Sequence, residues 1–494
     1  MPLAETSLQR QLWESFQPIN RPSASDTYKR TMSGSSRLFA DSFAAYTLAA
    51  RKGLPEKGSD GRLIMAGLEQ MLYPWFMNPV TREEVEIAEE HFTKHAGVKK
   101  FPSAAWQSVL ANDGYFPIDI YGLPGGQTFL VKDGKHVPIM SVEGPGALVT
   151  HLEPHFENIY APIIQATKAR LIHEELGSSV LTDFSSQFAE FGLRSDRLIN
   201  LHTPLLMAVY VGGGFTQTSD DQATLLFPKY FKDIGTIGHE YIMAFQKEGR
   251  TLEEAQELAY DEFVAENERS ALLPDVIDTI HSGLPAILRQ IQKNKGNGKV
   301  IMPRFDSGDI VYQCIYWKNM TLEAGITETK MVVEDGFNPA KIHEVKQAYA
   351  AAGFNPDDIT VGVGGYFQEG SLRDTLSLVD KRGATMHGSR LERSLKFSDS
   401  PGKESIPGQL RIYERGDTLV VAQFDESIDG IILSQQLVAN GRIVYAESLD
   451  RQHQRATDTW NKYRKIDYSP MTQAIIDARM QEKGAIQEAV RMRQ

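Results

Sequence analysis

Apolar positions recur at helical spacing in two well-punctuated stretches. Leu252, Ala255, Leu258, Ala259 and Phe263 share one face, and Thr251 with Glu254 has the spacing of a capping box, so a helix is expected from Thr251 onward. Ile342, Val345, Tyr349 and Ala352 mark a second helix, opened by Asn338 and Pro339 and stopped by Gly353. Between 299 and 389 the pattern alternates: strand 299–305, helix 309–325, strand 329–333, helix 339–352, strand 358–363, helix 371–380, strand 383–387. Repeated βαβ units require parallel pairing. Earlier in the chain the pattern predicts a helix over 37–51, amphipathic stretches near 62–76 and 82–96, two short strands within 126–142 and a long helix over 145–174. The tail reads as strands near 410–424 and 429–446, then helices carrying Met471, Ile475, Ile476 and Met480.

The expected fold class is α/β. An irregular α/β barrel with parallel strands would occupy 151–390, and an α+β domain would be built from 1–150 and completed by the strands and helices of 391–494. In such sheets ligands sit at the C-terminal strand ends, which here read Asp306-Ser-Gly-Asp309, Glu334-Asp335-Gly336, Gly362-Val-Gly-Gly365 and His387-Gly-Ser389. Polar and flexible residues at four successive ends point to one shared pocket for an anionic, phosphorylated ligand.

Composition narrows the function. The 494 residues, 41% hydrophobic and 23% charged, exclude wholesale disorder, collagen and coiled coil. With 52 Lys+Arg against 64 Asp+Glu the net charge is -12, so neither nucleic acid nor an anionic membrane is an expected partner, although a local basic pocket can still hold a small anion. The single cysteine, Cys314, lies in an apolar run and reads as a core thiol; with no signal-peptide pattern and no long apolar segment, a cytoplasmic location is expected.

Individual residues carry weaker signals. Gly362-Val-Gly-Gly365 exposes backbone N–H groups, and Arg373 follows on the first turn of an expected helix, a plausible phosphate cradle or merely a tight turn. Asp306 and Asp309 could hold ribose hydroxyls or a magnesium ion, or Asp309 could simply cap a helix; Arg304 shares the strand face of Asp306. Asp275 and Asp278 form a second acidic pair, and His239 precedes an apolar run where a structural histidine is the ordinary reading. His91 with His95, and His151 with His155, read as solvated faces. The Gly- and Ser/Thr-rich segment 212–221 suggests backbone approach to a ligand.

Taken in order, Ser25-Asp-Thr-Tyr-Lys29, Val142-Glu-Gly-Pro145, Ala166-Thr-Lys-Ala-Arg170, Glu190-Phe-Gly-Leu-Arg194, Gly213-Gly-Phe215 with Thr218-Ser219, 235–245, 306–309 and 395–408 resemble the nicotinate phosphoribosyltransferase family, with nicotinamide phosphoribosyltransferase as close relative. The resemblance runs over most of the chain. It implies transfer of a pyridine base to C1 of phosphoribosyl pyrophosphate for NAD salvage, with Mg²⁺ as cofactor, ATP as co-substrate and a homodimer sharing its active sites. It further implies that Phe191 and Tyr28 stack on the pyridine ring near Arg194, that Tyr28 and Asp26 come from the neighbouring subunit, and that Ser219 and Asp220 lie by the base. Arg304, Asp306, Asp275 and Asp278 would hold the phosphoribosyl group and its magnesium, through Asp275 and Asp306, with Ser307 and Gly308 in the same loop. Asp335, Gly364, Gly365 and Arg373 would take the ribose and 5′-phosphate, and His239 would be phosphorylated by ATP.

Two departures pull the base in opposite directions. Asp220 matches the nicotinamide type, where an aspartate accepts a bond from the carboxamide, and a desolvated carboxylate would repel nicotinate. The Ser398–Gly408 stretch matches the nicotinate type, Gly362-Val-Gly-Gly365 followed by Arg373 keeps the nicotinamide-type spacing, and nicotinate is favoured. The alternatives are the nicotinamide enzyme and a catalytically lapsed nucleotide-binding homologue.

Overall fold

The computed structural model describes residues 20–94, 101–177, 187–195, 199–398 and 404–491. The chain forms two compact units, one of Ile164–Ser371 and one of Met1–Ile163 with Leu372–Gln494.

The Ile164–Ser371 unit holds seven parallel strands: β1 (Phe188–Glu190), β2 (Gln217–Thr218), β3 (Lys232–Asp233), β4 (Arg269–Leu272), β5 (Val300–Phe305), β6 (Met331–Val333) and β7 (Ile359–Val363). Their order in the sheet is β4-β5-β6-β7-β1-β2-β3, the cyclic order of a barrel opened between β3 and β4. The sheet is a curled half-barrel. At the opening, the Ile237 N–H donates to the carbonyl of Ala271 at 3.4 Å. Crossover helices follow the strands: α1 (Ile199–Gly213), α2 (Asp221–Leu226), α3 (His239–Met243), α4 (Leu252–Glu266), α5 (Leu284–Lys293), α6 (Ile310–Glu323), α7 (Pro339–Ala351) and α8 (Gly365–Gln368). Helices cover the sheet, so β1 and β6 are buried at every residue and read as short apolar runs without alternation. Trp317, Tyr349, Tyr260 and Phe305 fill the core, and Phe188 stacks on Phe215 with ring centroids 3.8 Å apart. Cys314 is buried there as expected.

The local punctuation in the sequence is realised. Thr251 and Glu254 form the capping box of α4, Asn338 caps α7 and Gly353 takes φ +87°. The buried face of α4 is turned by one residue from the expected one, running through Ala255, Ala259, Tyr260 and Val264, and Leu252 is exposed.

The second unit contains a seven-stranded antiparallel sheet ordered Arg390–Arg393, Val379–His387, Phe43–Ala49, Pro138–Pro145, Asp119–Gly122, Gln435–Ala439 and Arg442–Ile443. A four-stranded sheet includes Leu410–Arg415 and Thr418–Gln423, and a three-stranded one includes Arg62–Ile64 and Thr128–Lys132. The two ends of the chain thus share one unit; a buried ion pair at 2.8 Å joins Glu143 to Arg411, whose guanidinium lies over the Tyr121 ring.

Several expectations need correction. The strand expected at 383–387 is Val379–His387, which pairs antiparallel with Phe43–Ala49, so His387 is not at a barrel strand end and the half-barrel unit closes at Ser371 rather than near 390. The helix expected over 371–380 is reduced to the four residues Arg373–Leu376, and the strand Val379–His387 begins before 380. The helical pattern at 37–51 splits into a short helix, Arg37–Asp41, and the strand Phe43–Ala49, because β-sheet neighbours bury nearly all of the latter. The long helix expected at 145–174 is two, Gly146–Glu157 and Tyr160–Gly177. His151 and His155 are not solvated: their Nε2 atoms bond the carbonyls of Arg21 and Ala24 at 2.8 and 2.5 Å. His95 lies outside the described residues.

In this unit Asp380 is wholly buried, and neither carboxylate oxygen has a hydrogen-bond partner. Burial lifts its carboxyl to about 7 against the opposing charges of Lys381 and Lys29. Burial lowers Lys29 to about 8, and Lys29 forms an ion pair with Glu153.

Candidate active site

The loops after β3, β4 and β5 bring together residues distant in sequence. His239 opens α3, Asp275 follows β4, and Asp306 with Ser307 follows β5. His239 Nε2 lies 2.9 Å from Asp275 Oδ1, and Ser307 Oγ donates to Asp275 Oδ2 at 2.6 Å. One ligand atom from each of His239, Asp275 and Asp306 lies within 4.8 Å of the others. Arg304, inside β5, donates through one guanidinium nitrogen to Thr236 Oγ1 at 2.6 Å and the Ile237 carbonyl at 3.0 Å. The same guanidinium pairs with Asp306 at 3.3 Å and Glu334 at 3.0 Å. Arg304 therefore ties the β3 loop to the ends of β5 and β6, next to the opening of the half-barrel.

Electrostatics divide the two aspartates. Burial would raise both, but the Ser307 hydrogen bond and the charge of His239 hold the Asp275 carboxyl below its usual range. Asp306 is pushed above that range by burial and by the Asp275 charge, with Arg304 opposing. An ionised Asp275 can only accept, so His239 donates its Nε2–H to it, and in the neutral imidazole this leaves the lone pair on Nδ1. The oxygen donors of Asp275 and Asp306 suit a hard divalent cation such as Mg²⁺, whereas the imidazole nitrogen does not.

The ends of β7 and β1 are built on close backbone approach. A Cβ at Gly362 would meet the Phe191 ring at 2.9 Å and Glu334 at 2.5 Å, and one at Gly364 would meet the Phe191 carbonyl at 2.7 Å. Glycine at both positions lets Phe191 lie over the end of β7. Glu334, bonded to Arg304, links this aromatic wall to the His239 cluster. Gly364 precedes α8, which begins at Gly365, and Gly308 takes φ +84° in the β5 loop. Asp335 sits in the left-handed region at φ +83°, with Lys341 3.5 Å from its carboxylate.

Other expected residues lie apart or do other work. Asp278 caps the turn Thr279–Gly283 and faces His281 at 3.0 Å, not the cluster around Asp275. Asp309 caps α6 through the Tyr312 N–H. Asp220 caps α2: Oδ1 accepts from Gln222 and Ala223, and Oδ2 accepts from Thr203 Oγ1 at 2.8 Å. Ser219 donates its N–H to the Glu190 carbonyl. The Arg194 side chain lies outside the described residues. Asp26, Tyr28 and Arg373 belong to the second unit, where Tyr28 is 53% exposed and Arg373 pairs with Glu157 and Asp374. Sequence reasoning assigned no role to Glu334, Thr236 or Glu190, although Glu334 stands in a polar strand end and Glu190 in an ordered motif. Nothing local marked Thr236.

No family model matches the chain. It is 27% identical over 316 residues to a nicotinate phosphoribosyltransferase of Bacillus subtilis (strain 168), covering 61% of this chain and 59% of that protein. It is also 22% identical over 385 residues to a nicotinamide phosphoribosyltransferase of Xanthomonas campestris pv. campestris (strain 8004), covering 70% and 78%. The chain thus spans about three-fifths of the length of the Bacillus relative. Human nicotinic acid phosphoribosyltransferase has a similar fold, with a TM-score of 0.68 at 16% identity over 92% of this chain and 99% of that one. The nicotinate-nucleotide pyrophosphorylase of Pyrococcus furiosus follows at 0.60 and 15%, over 89% and 95%. In sequence the chain is thus similar to nicotinate and nicotinamide phosphoribosyltransferases, and in fold to human nicotinic acid phosphoribosyltransferase.

Proposed function

We propose that the protein transfers a pyridine base, nicotinate in preference to nicotinamide, to C1 of phosphoribosyl pyrophosphate, forming the mononucleotide and releasing pyrophosphate for NAD salvage. The observation that carries this reading is the convergence of His239, Asp275, Asp306, Ser307 and Arg304 at adjoining strand ends of a curled parallel sheet. As the C1–O bond breaks, the ribose ring becomes electron-poor and the leaving diphosphate gains charge. Asp306 and Asp275 stabilise the first, and Arg304 the second. Asp275 and Asp306 would hold Mg²⁺, which when bound supplies further neutralisation of the diphosphate. The backbone at Gly364 and Gly365 suits the 5′-phosphate, with Asp335 on the ribose. Phe191 offers one face to the ring, and Tyr28 of a second subunit would offer the other, which makes the working unit a homodimer. His239 accepts the γ-phosphoryl group of ATP on Nδ1, with ADP leaving, while Asp275 holds Nε2–H.

The test is initial-rate measurement of pyrophosphate release with phosphoribosyl pyrophosphate, Mg²⁺ and each base in turn, with and without ATP. Faster turnover of nicotinate, stimulated by ATP, is the expected result. Faster turnover of nicotinamide would reverse the choice of base, and silence with both would leave the lapsed nucleotide-binding homologue.

A further inference from the structure

The carboxylate of Glu190 takes no part in the chemistry above, yet it is among the most heavily committed acids in the half-barrel unit. It ends β1, is 2% exposed, and accepts hydrogen bonds from three segments: the Gly192 N–H, Thr218 Oγ1 at 2.9 Å and His202 Nε2 at 3.2 Å. Its own carbonyl accepts the Ser219 N–H at 3.0 Å. Thr218 Oγ1 in turn accepts the Asp220 N–H at 3.1 Å, and Asp220 accepts Thr203 Oγ1 at 2.8 Å. His202 and Thr203 are neighbours on α1, so the network closes a ring through the loop after β1, the loop after β2 and one helix. A buried carboxylate is costly unless every lone pair finds a donor, and a ring of this kind holds its members in one arrangement.

The segments it clamps carry Phe191 and Ser219. Phe191 lies between Glu190 and Gly192, both of which are in the clamp, and its N–H donates to the Val363 carbonyl at 2.9 Å. A Cβ at Gly192 would strike the Glu190 carboxylate, so the loop is shaped around that acid.

We infer that Glu190, with His202 and Thr218, is a positioning residue that sets the aromatic wall and the Ser219 loop for the incoming base; this rests on the function proposed above. It acts on base recognition more than on the sugar phosphate, because its hydrogen bonds go to the Phe191 and Ser219 loops and to α1, and none reaches Arg304, Asp275 or Asp306.

The isosteric E190Q variant is a sharp probe. It replaces one acceptor oxygen by an NH₂ group that faces donors already in place. In steady-state assays of the full chain, E190Q is expected to raise the KM for the base about tenfold or more and leave that for phosphoribosyl pyrophosphate within about twofold. Hydrogen exchange at 187–195 should rise in parallel. T218V, which deletes one donor at constant shape, should move both readouts the same way and serves if E190Q does not fold. H202Q, which can still donate, should retain more base affinity than H202A. An unchanged base KM in E190Q or T218V, or an equal rise in both KM values, would overturn the inference while an active wild type leaves the proposed function standing. A wild type silent with both bases would overturn both.

Discussion

His239 and Asp275 meet at 2.9 Å from loops that follow β3 and β4, the two strands at the open edges of the half-barrel. The pairing fixes which imidazole nitrogen carries the proton, because Asp275 is held ionised by Ser307 and by His239 itself. D275N keeps the shape but offers one acceptor oxygen and an NH₂ group in place of two acceptors. ATP stimulation of the initial rate is expected to fall at least about tenfold in this variant, and transfer without ATP to fall less. H239A should lose the stimulation entirely while keeping some basal transfer.

Arg304 is the positive charge that opposes the rise of the Asp306 carboxyl. If Asp306 must be ionised for transfer, the rate falls as pH drops through its raised pKa, so the acid limb lies above the ordinary carboxylate range. R304Q removes the opposing charge and should move that limb to higher pH. D306N should abolish the limb together with most of the rate. A profile of kcat/KM against pH for the three proteins checks this.

Asp220 already satisfies three donors as a helix cap. Asparagine caps nearly as well, so D220N should cost less than about 1 kcal/mol of stability. With both oxygens engaged in the wall of the unit, the ratio of nicotinate to nicotinamide turnover is expected to change less than about threefold. A shift of tenfold or more toward nicotinate would show that this carboxylate also reads the base.

Asp380 gives the second unit a defined pH dependence. Its folded pKa of about 7 exceeds the ordinary 3.8, so the native state keeps a proton that the unfolded chain releases. Its stabilising contribution is present below about pH 4 and is lost as pH rises to about 7, up to about 4 kcal/mol in all. D380N should therefore unfold at a higher temperature than the wild type at pH 8, with the difference shrinking toward pH 4. Calorimetric scans at the two pH values would detect it.

The helices α4 and α7 and the strands β5 to β7 were legible because their signals are local: a cap, a proline at the first turn, a glycine past the last, a short apolar run. The polar strand ends were legible for the same reason, and they led to Asp306 and Gly364. His387 misled because a strand shows its length and composition but not its partner. Val379–His387 reads like one more barrel strand and instead pairs antiparallel with a segment more than three hundred residues earlier. Phe43–Ala49 misled in the opposite sense: an Ala- and Leu-containing run fits a helix until neighbours on both sides supply its hydrogen bonds.

By itself the sequence determined the alternation of short apolar runs with capped helices, the acids, glycines and arginine at the strand ends, and the ordered motifs that carry the resemblance to nicotinate phosphoribosyltransferases. Only the tertiary structure decided which of those residues meet. It joined His239 to Asp275 but turned Asp278 toward His281, committed Asp220 to a helix cap, and made Glu190 the clamp of two loops. The reason is physical: capping and periodicity depend on residues within a turn of one another, whereas a carboxylate's role depends on which donors the folded backbone delivers to it, and those lie two residues away for the Asp220 cap but thirty-six away for Asp275.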